Sequence, residues 1–250
     1  MKIKLSCKTL LKCSGKIVRK FIFFIICIGL SSSFLPTIFA QTTSPIDIFP
    51  TNSKPYGQSY EDHIKNYWRL MLSIPQNQNP MEDTTGERCT FGQEKSNSSV
   101  FYLSGSTGGP SALTCNMKAG QGIFIPIITV EASQAEAPRA TIEELHKIAK
   151  EDQDSVTSLY LKINDREFSE EELQKFRTHT KEFEVMFPEG ALFGASAGPS
   201  VAVADGYYVI TEPLSPGNYS LHIKGSLGCL NPECTEPSYA GDIRYNLIVE

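Results

Sequence analysis

Residues 122–130 read Gly-Ile-Phe-Ile-Pro-Ile-Ile-Thr-Val, the strongest β-forming run in the chain. Its β-branched and aromatic side chains suit a pleated, packed surface. Pro126 has no N–H to give to a ladder, so its place inside this run predicts an edge position or a β-bulge. Strand signatures recur at 100–103 (VFYL), 156–163 (VTSLYLKI), 182–187 (EFEVMF), 201–210, 219–224 (YSLHIK) and 243–249 (IRYNLIV). Gly- and Pro-rich turns separate them, as at Pro188-Glu189-Gly190 and Pro213–Gly217. Short alternating strands between tight turns predict a mainly β fold, an antiparallel β-sandwich with jelly-roll-like closure as one layout.

Two or three peripheral helices complete that expectation. Residues 61–73 carry an apolar stripe, Ile64, Tyr67, Trp68 and Met71, at helical spacing. Thr141 with Glu144, and Ser169 with Glu172, have capping-box spacing and predict helix starts. The loop Gly105-Ser-Thr-Gly-Gly109 is glycine-rich and reads as a flexible turn. It lacks the lysine a phosphate loop needs.

The N-terminus reads as a leader. Lys2, Lys4, Lys8, Lys12, Lys16, Arg19 and Lys20 precede the apolar run FIFFIICIGL at 21–30, and Ala40 offers a small residue for cleavage. The expected organisation is a signal peptide at 1–40, a flexible Pro-, Ser- and Thr-rich linker at 41–60 and one β-rich domain at 61–250. The alternative is an uncleaved N-terminal anchor, but the run falls short of the roughly 20 apolar residues a span requires. Removing the seven basic residues of the leader leaves 16 Lys plus Arg against 28 acids, a net charge of -12. A field of that sign repels phosphate backbones, so nucleic acid is not an expected partner. The expected location is secreted or at the cell surface, with no stable membrane span once the leader is removed.

Four cysteines remain: Cys89, Cys115, Cys229 and Cys234. An even number in an exported chain reads as a disulfide framework. Of the three pairings, Cys89 with Cys115 and Cys229 with Cys234 is favoured, because the second pair closes a short local loop and the first flanks a loop and strand. Zinc is the rival reading, but the spacing is not that of a C-x-x-C pair and no histidine is near.

Several ordered stretches carry a resemblance. They are Trp68 through Ile74-Pro75, Asn79-Pro80, Asp83 and Gly86 to Cys89; Val100-Phe-Tyr-Leu-Ser-Gly105; Cys115 with Ala119-Gly120 and Phe124-Ile-Pro-Ile127; and the Leu214–Gly217 turn leading to Gly225. Together they resemble a family of exported prokaryotic proteins of unestablished activity. The resemblance covers most of 65–250. It implies one domain and an association of Cys89 with Cys115, and supplies no catalytic residues. Leu70 stands near Trp68 where a second aromatic is expected.

No nucleophile elbow, P-loop, dinucleotide fingerprint or H-E-x-x-H is present. His63, His146 and His179 read as solvated residues on helices or helix edges. His222 alternates with Leu221 and Ile223, which places it on the wet face of its strand without carboxylate neighbours and makes it the best acid/base or ligand candidate. Glu131 ends the apolar run, where a carboxylate suits general acid work or calcium. Paired with Asp205, in an expected loop before a strand, it would suit glycoside chemistry. Trp68 reads first as an anchor plugging its helix onto the sandwich, and second as a sugar platform. Tyr207 and Tyr208 point to opposite faces, so one is expected to be exposed. Asn97 and Asn218 lie in glycosylation sequons. No metal site is expected and no cofactor is indicated. The leading expectation is an exported binding or structural module for an extracellular glycan or protein. The alternatives are a glycan-active hydrolase using carboxylates and a metal-binding exported protein.

Overall fold

A computed structural model describes residues 46–93, 98–230, 233–234 and 236–250. The expected leader, the first residues of the expected linker and Asn97 lie outside them. Among the described residues, ten strands form two five-stranded sheets. Sheet one contains β1 (Val100–Tyr102), β3 (Gly122–Ser133), β6 (Arg177–His179), β7 (Phe183–Phe187) and β8 (Gly198–Ile210). Its order is β1-β3-β8-β6, and β7 pairs with a separate stretch of β8. Sheet two contains β2 (Gly109–Met117), β4 (Val156–Ile163), β5 (Arg166–Glu167), β9 (Gly217–Leu227) and β10 (Tyr239–Val249), in the order β2-β10-β9-β4-β5. Pairing is antiparallel except at one edge of each sheet, where β1 runs parallel to β3 and β2 parallel to β10. The sandwich is therefore mixed rather than purely antiparallel.

Alternation builds the core. Ile123, Ile125 and Val209 of sheet one meet Leu161, Leu221, Ile223, Tyr245 and Leu247 of sheet two. The opposite face of sheet one, through Phe124, Tyr208 and Ile210, is covered by α1 (Tyr60–Leu72). Sheet one is thus buried on both faces, and β3 reads as an unbroken apolar run for that reason. β1 pairs with β3 only from Gly122 to Phe124, so Pro126 stands where β3 is an edge among the described residues, as its missing N–H predicts. The bulge expectation is met as well: the register shifts between Pro126 and Ile128. Gly225 lets the sheets approach there, since a Cβ at this position would lie 2.8 Å from Cβ of Ile128.

Three α-helices flank the sheets among the described residues. Ser59 and Asp62 form a capping box that starts α1, whose buried face includes Ile64, Tyr67, Trp68 and Met71. Asn79 closes it, donating to the carbonyls of Met71 at 2.6 Å and Ile74 at 3.0 Å. Trp68 is 2% exposed, so the anchor reading fits its position. Such a burial is worth about 3–5 kcal/mol against alanine. α2 (Ile142–Asp154) is capped by Thr141 with Glu144 and packs Leu145 and Ala149 on Ala132 and Val203. α3 (Glu170–Gln174) is capped by Ser169 with Glu172.

The expected linker is corrected from residue 46 on. The Phe49 N–H donates to Ile210 O at 2.9 Å, the Tyr60 hydroxyl to Phe49 O at 2.5 Å and the Tyr56 hydroxyl to Thr211 O at 2.8 Å. This segment covers His63, which is buried rather than solvated. Its ring nitrogens contact the Tyr102 hydroxyl at 3.1 Å and Pro55 O at 2.9 Å. Burial lowers its pKa against the opposing pull of the Pro55 carbonyl.

Both expected disulfides are present, Cys89–Cys115 and Cys229–Cys234. The first is buried where a tight turn meets β2. Asp83 accepts from the amides of Thr85, Gly86 and Arg88 at 2.9, 3.1 and 2.7 Å. Gly86 has a φ of 99°, and a Cβ there would lie 2.2 Å from Thr114 O. The motif from Asn79 to Cys89 therefore has a structural role: it caps α1 and seats the disulfide. Among the described residues, no helix is long and apolar enough to cross a membrane.

The Cys89–Cys115 bond spans 26 residues, for which loop closure gives roughly 3.5 kcal/mol. The double variant Cys89→Ala/Cys115→Ala should lose about that much in denaturant unfolding, and loss of Cys229–Cys234 about 2 kcal/mol. Equal losses for the two bonds would contradict the loop-closure account.

Candidate functional site

A cavity of about 230 Å³ lies along β3, bounded by α1, the 105–107 loop, α2 and sheet two. The strand makes it possible. β1 pairs with β3 only over Gly122, Ile123 and Phe124. Beyond them, the edge of β3 facing away from β8 has no strand partner among the described residues. The bulge then decides what faces the cavity. Ile127 and Ile128 both join the sandwich core, so the side-chain parity inverts after them. Thr129 and Glu131 consequently point to the α1 side. Thr129 meets the Tyr208 hydroxyl, and Glu131 is in register with Ala204 of the α1-side cluster. Without the extra residue, Glu131 would project into the sandwich.

Glu131 is the chemical centre of the cavity. Both carboxyl oxygens are sealed from solvent, and the side chains they interact with are those of Glu136 and Ser133. Burial drives its pKa well above the usual carboxylate range, and the adjacent Glu136 carboxyl pushes it further. Ser133 stands nearby but donates its hydroxyl to Glu136 Oε2 at 2.6 Å. Asp152 of α2 adds a third acid to the lining, its pKa also raised by burial and by Glu151.

The walls are apolar and fixed. Trp68 donates through Nε1 to the Tyr208 hydroxyl at 3.4 Å. The Tyr67 hydroxyl holds Ser104 O at 2.7 Å, and that of Tyr239 holds Ser106 O at 3.2 Å. The Thr107 amide reaches Met81 O at 3.3 Å. The loop expected to be flexible is thus pinned on three sides, and its last glycine opens β2. Phe193 lines the cavity while 50% exposed, and it sits at φ 59°, a left-handed conformation that costs a non-glycine residue roughly 1–2 kcal/mol.

The other expected site residues lie elsewhere. Asp205 is inside β8, not in a loop, and in register with Val130 rather than Glu131. Arg177 grips it through Nε at 3.1 Å and Nη2 at 2.8 Å, and reaches Asp154 at 2.7 Å. Asp205 therefore ties β6 and the end of α2 to β8, and the expected Glu131–Asp205 pair does not form. His222 is on the outer face of sheet two, as its alternation predicts, but with a carboxylate neighbour: Nε2 lies 2.7 Å from Asp242 Oδ1. Burial works to raise the pKa of Asp242, yet contacts with His222 and Lys224 hold it below the usual range. Glu131, Asp205 and His222 do not converge. Tyr207 and Tyr208 are both buried, because sheet one is covered on both faces. Asn218 is exposed at the start of β9. Among the described residues, no group of three or more His, Cys, Asp or Glu is placed to hold a metal ion. Glu136, Asp152 and Phe193 went unnoticed in the sequence. Only the Phe193-Gly194 step, an aromatic in a small-residue turn, gave a local signal.

No family model and no curated protein matches the chain. Among solved structures, PbICP-C in complex with falcipain-2 is similar at 14% identity and a TM-score of 0.23, over 60% of this chain and 98% of that one. The cysteine protease inhibitor EhICP2 from Entamoeba histolytica is similar at 9% identity and a TM-score of 0.19, over 60% of this chain and 94% of that one. Likeness at this level carries no functional argument.

The raised pKa of Glu131 has a stability consequence. The folded protein holds this proton more tightly than the unfolded chain, whose value is about 4.5. Stability from this group is full below about pH 4.5 and falls as pH rises through the folded value. Glu131→Gln keeps the shape and removes the titration. Denaturant unfolding between about pH 4.5 and pH 8 should show the variant gaining on the parent as pH rises. A difference independent of pH would mean that Glu131 titrates normally.

Proposed function

We propose that the chain is an exported binding module and that its ligand occupies the cavity along β3. One observation carries this reading: a carboxyl whose burial drives its pKa well above the usual range stands in the wall of the cavity beside a second acid, Glu136. Acids perturbed in this way concentrate at functional sites. The strained, half-exposed Phe193 at the same cavity supports the reading, since strain of this kind concentrates at binding sites. Export rests on the basic-then-apolar leader, with the two disulfides in support. The resemblance to exported prokaryotic proteins of unestablished activity belongs to the same proposal. Trp68 acts here as a cavity wall and helix anchor, not as an open sugar platform.

A second reading, a hydrolase acting on an extracellular polymer, is favoured by one feature: a carboxyl kept protonated beside another acid is equipped as a general acid. Against it, Glu131 and Glu136 are immediate neighbours, whereas glycoside cleavage wants carboxyls roughly 5–9 Å apart.

Two-dimensional ¹⁵N NMR with a panel of small sugars, alcohols and amines tests the proposal. Shifts should cluster on the Trp68 indole N–H, Ser106, Thr107 and the Phe193 turn. Shifts confined to the His222 face, or none at the cavity, would overturn it. Polymer hydrolysis abolished by Glu131→Gln would establish the second reading instead.

A further inference from the structure

We infer that the cavity takes an extended peptide, free of acidic side chains, that adds to sheet one as a strand along the open edge of β3. This rests on the binding-module reading and names the class of ligand. In an antiparallel ladder, successive residues turn their N–H and C=O groups to opposite edges. The Tyr208 N–H donates to Phe176 O at 3.2 Å and the Thr180 N–H to Ala204 O at 2.8 Å, so Ala204 and Tyr208 turn theirs toward the β6 edge. Val203, Asp205 and Tyr207 turn theirs toward β3, where Ala132, Val130 and Ile128 face them. Thr129 and Glu131, opposite Gly206 and Ala204, therefore turn their N–H and C=O groups away from β8. Neither residue's backbone has a hydrogen-bond partner among the described residues. Pro126, opposite Tyr208, stands on the same edge and has no N–H to leave unpaired.

An unpaired strand edge is a template for another chain. A donor and an acceptor at every second residue match the period of an extended backbone, and main-chain pairing of this sort is how strand-adding peptides bind. β1 already uses this edge over Gly122–Phe124, and the Leu103 N–H reaches Phe124 O at 3.0 Å. The chain then leaves the edge, and the peptide takes up the continuation. The groove around it is apolar. Trp68 of the α1-side cluster and Leu227 and Ile243 of the sandwich core line its two sides, with half-exposed Phe193 beside them. Side chains of an added strand alternate toward these two walls, so apolar residues suit both parities.

Charge narrows the occupant. Glu131, Glu136 and Asp152 line the groove without any Lys, Arg or His, so an acidic chain is repelled. Walls on both sides admit one extended chain rather than the edge of a second sheet, which makes a second copy of this chain the poorer occupant. The pairing has a residue-by-residue signature. Val130 is held by β8, so its amide is protected with or without peptide. Thr129 and Glu131 gain partners only on binding, so their amides become protected then.

The chain has one tryptophan, Trp68, and it lines the cavity, so intrinsic fluorescence reports occupancy directly. The probe is acetyl-Lys-Thr-Val-Ile-Val-Thr-Lys-amide, followed by fluorescence and by ¹⁵N NMR. Binding should slow hydrogen exchange at Thr129 and Glu131 by at least about ten-fold and leave Val130 unchanged. The same peptide N-methylated at alternate residues keeps one pairing edge and should still bind. N-methylated at every central residue, it should lose at least about ten-fold in affinity, and with Glu in place of both Lys it should also bind more weakly. Thr129→Pro removes a donor that β8 does not use, and should weaken binding about ten-fold. The methylated peptides give the same reading without any change to the protein. Full methylation without effect, or exchange at Thr129 and Glu131 unmoved by bound peptide, would overturn strand pairing and leave the cavity reading standing. So would small sugars, alcohols or amines moving the cavity signals where the peptide moves none, and so would dimers in sedimentation that Thr129→Pro dissociates, which would make a second copy the occupant. If neither the peptide nor those small probes alter Trp68 fluorescence or the NMR signals of the cavity, both readings fail.

Discussion

The burial of sheet one on both faces is the constraint from which the rest follows. Ile123 and Ile125 face sheet two while Phe124 faces α1, and all three are fully buried. A strand in that position has no wet side on which to place a charge. Glu131, seven residues after Phe124 on the same strand, would go into the sandwich if the alternation ran unbroken. The bulge at Pro126–Ile128 moves it to the α1 side. There the edge of β3 has lost β1, and a cavity stands open. One extra residue thus converts a core strand into the wall of a site.

The rest of the molecule holds that wall in place. α1 is fixed at its start by Ser59 and Asp62 and at its end by Asn79, and it presents Trp68 and Tyr67 to the cavity. Tyr67 and Tyr239 restrain the 105–107 loop. Arg177 secures the end of α2, which carries Asp152, by bridging Asp154 and Asp205. The cavity is therefore built mainly from rigid elements, and its acids are kept together by packing rather than by mutual attraction, since they repel.

Much of the fold was legible in the residues. The strands at 156–163 and 219–224, the capping boxes at Thr141 and Ser169 and both disulfides are where the sequence places them, because each rests on a local rule. β2 was missed because its buried residues, Leu113, Cys115 and Met117, alternate behind a start rich in Gly, Pro and Ser that reads as loop. The parallel edges were missed because alternation carries no information on strand direction. The site was legible only in part. Glu131 stood out as the carboxylate of the apolar run, and Pro126 signalled a bulge. That the bulge decides which face Glu131 takes, that Glu136 meets it there, and that Asp152 and Phe193 line the same cavity, depends on long-range packing. His63 failed for the same reason: its cover comes from Pro55 and Tyr102, outside its own helix. Asp205 was misread as a free loop acid because its partner, Arg177, is 28 residues away.

The protonation of Glu131 joins the bulge, the burial and the site into one claim, and it can be observed directly. With ¹³C-labelled protein, the side-chain carboxyl resonance of Glu131, assigned by its absence in Glu131→Gln, can be followed against pH. The account predicts a midpoint well above the ordinary glutamate value of about 4.3, in the ligand-free protein. A midpoint at or below that value would show a solvated carboxylate, and with it the buried acid and the cavity reading would lose their basis.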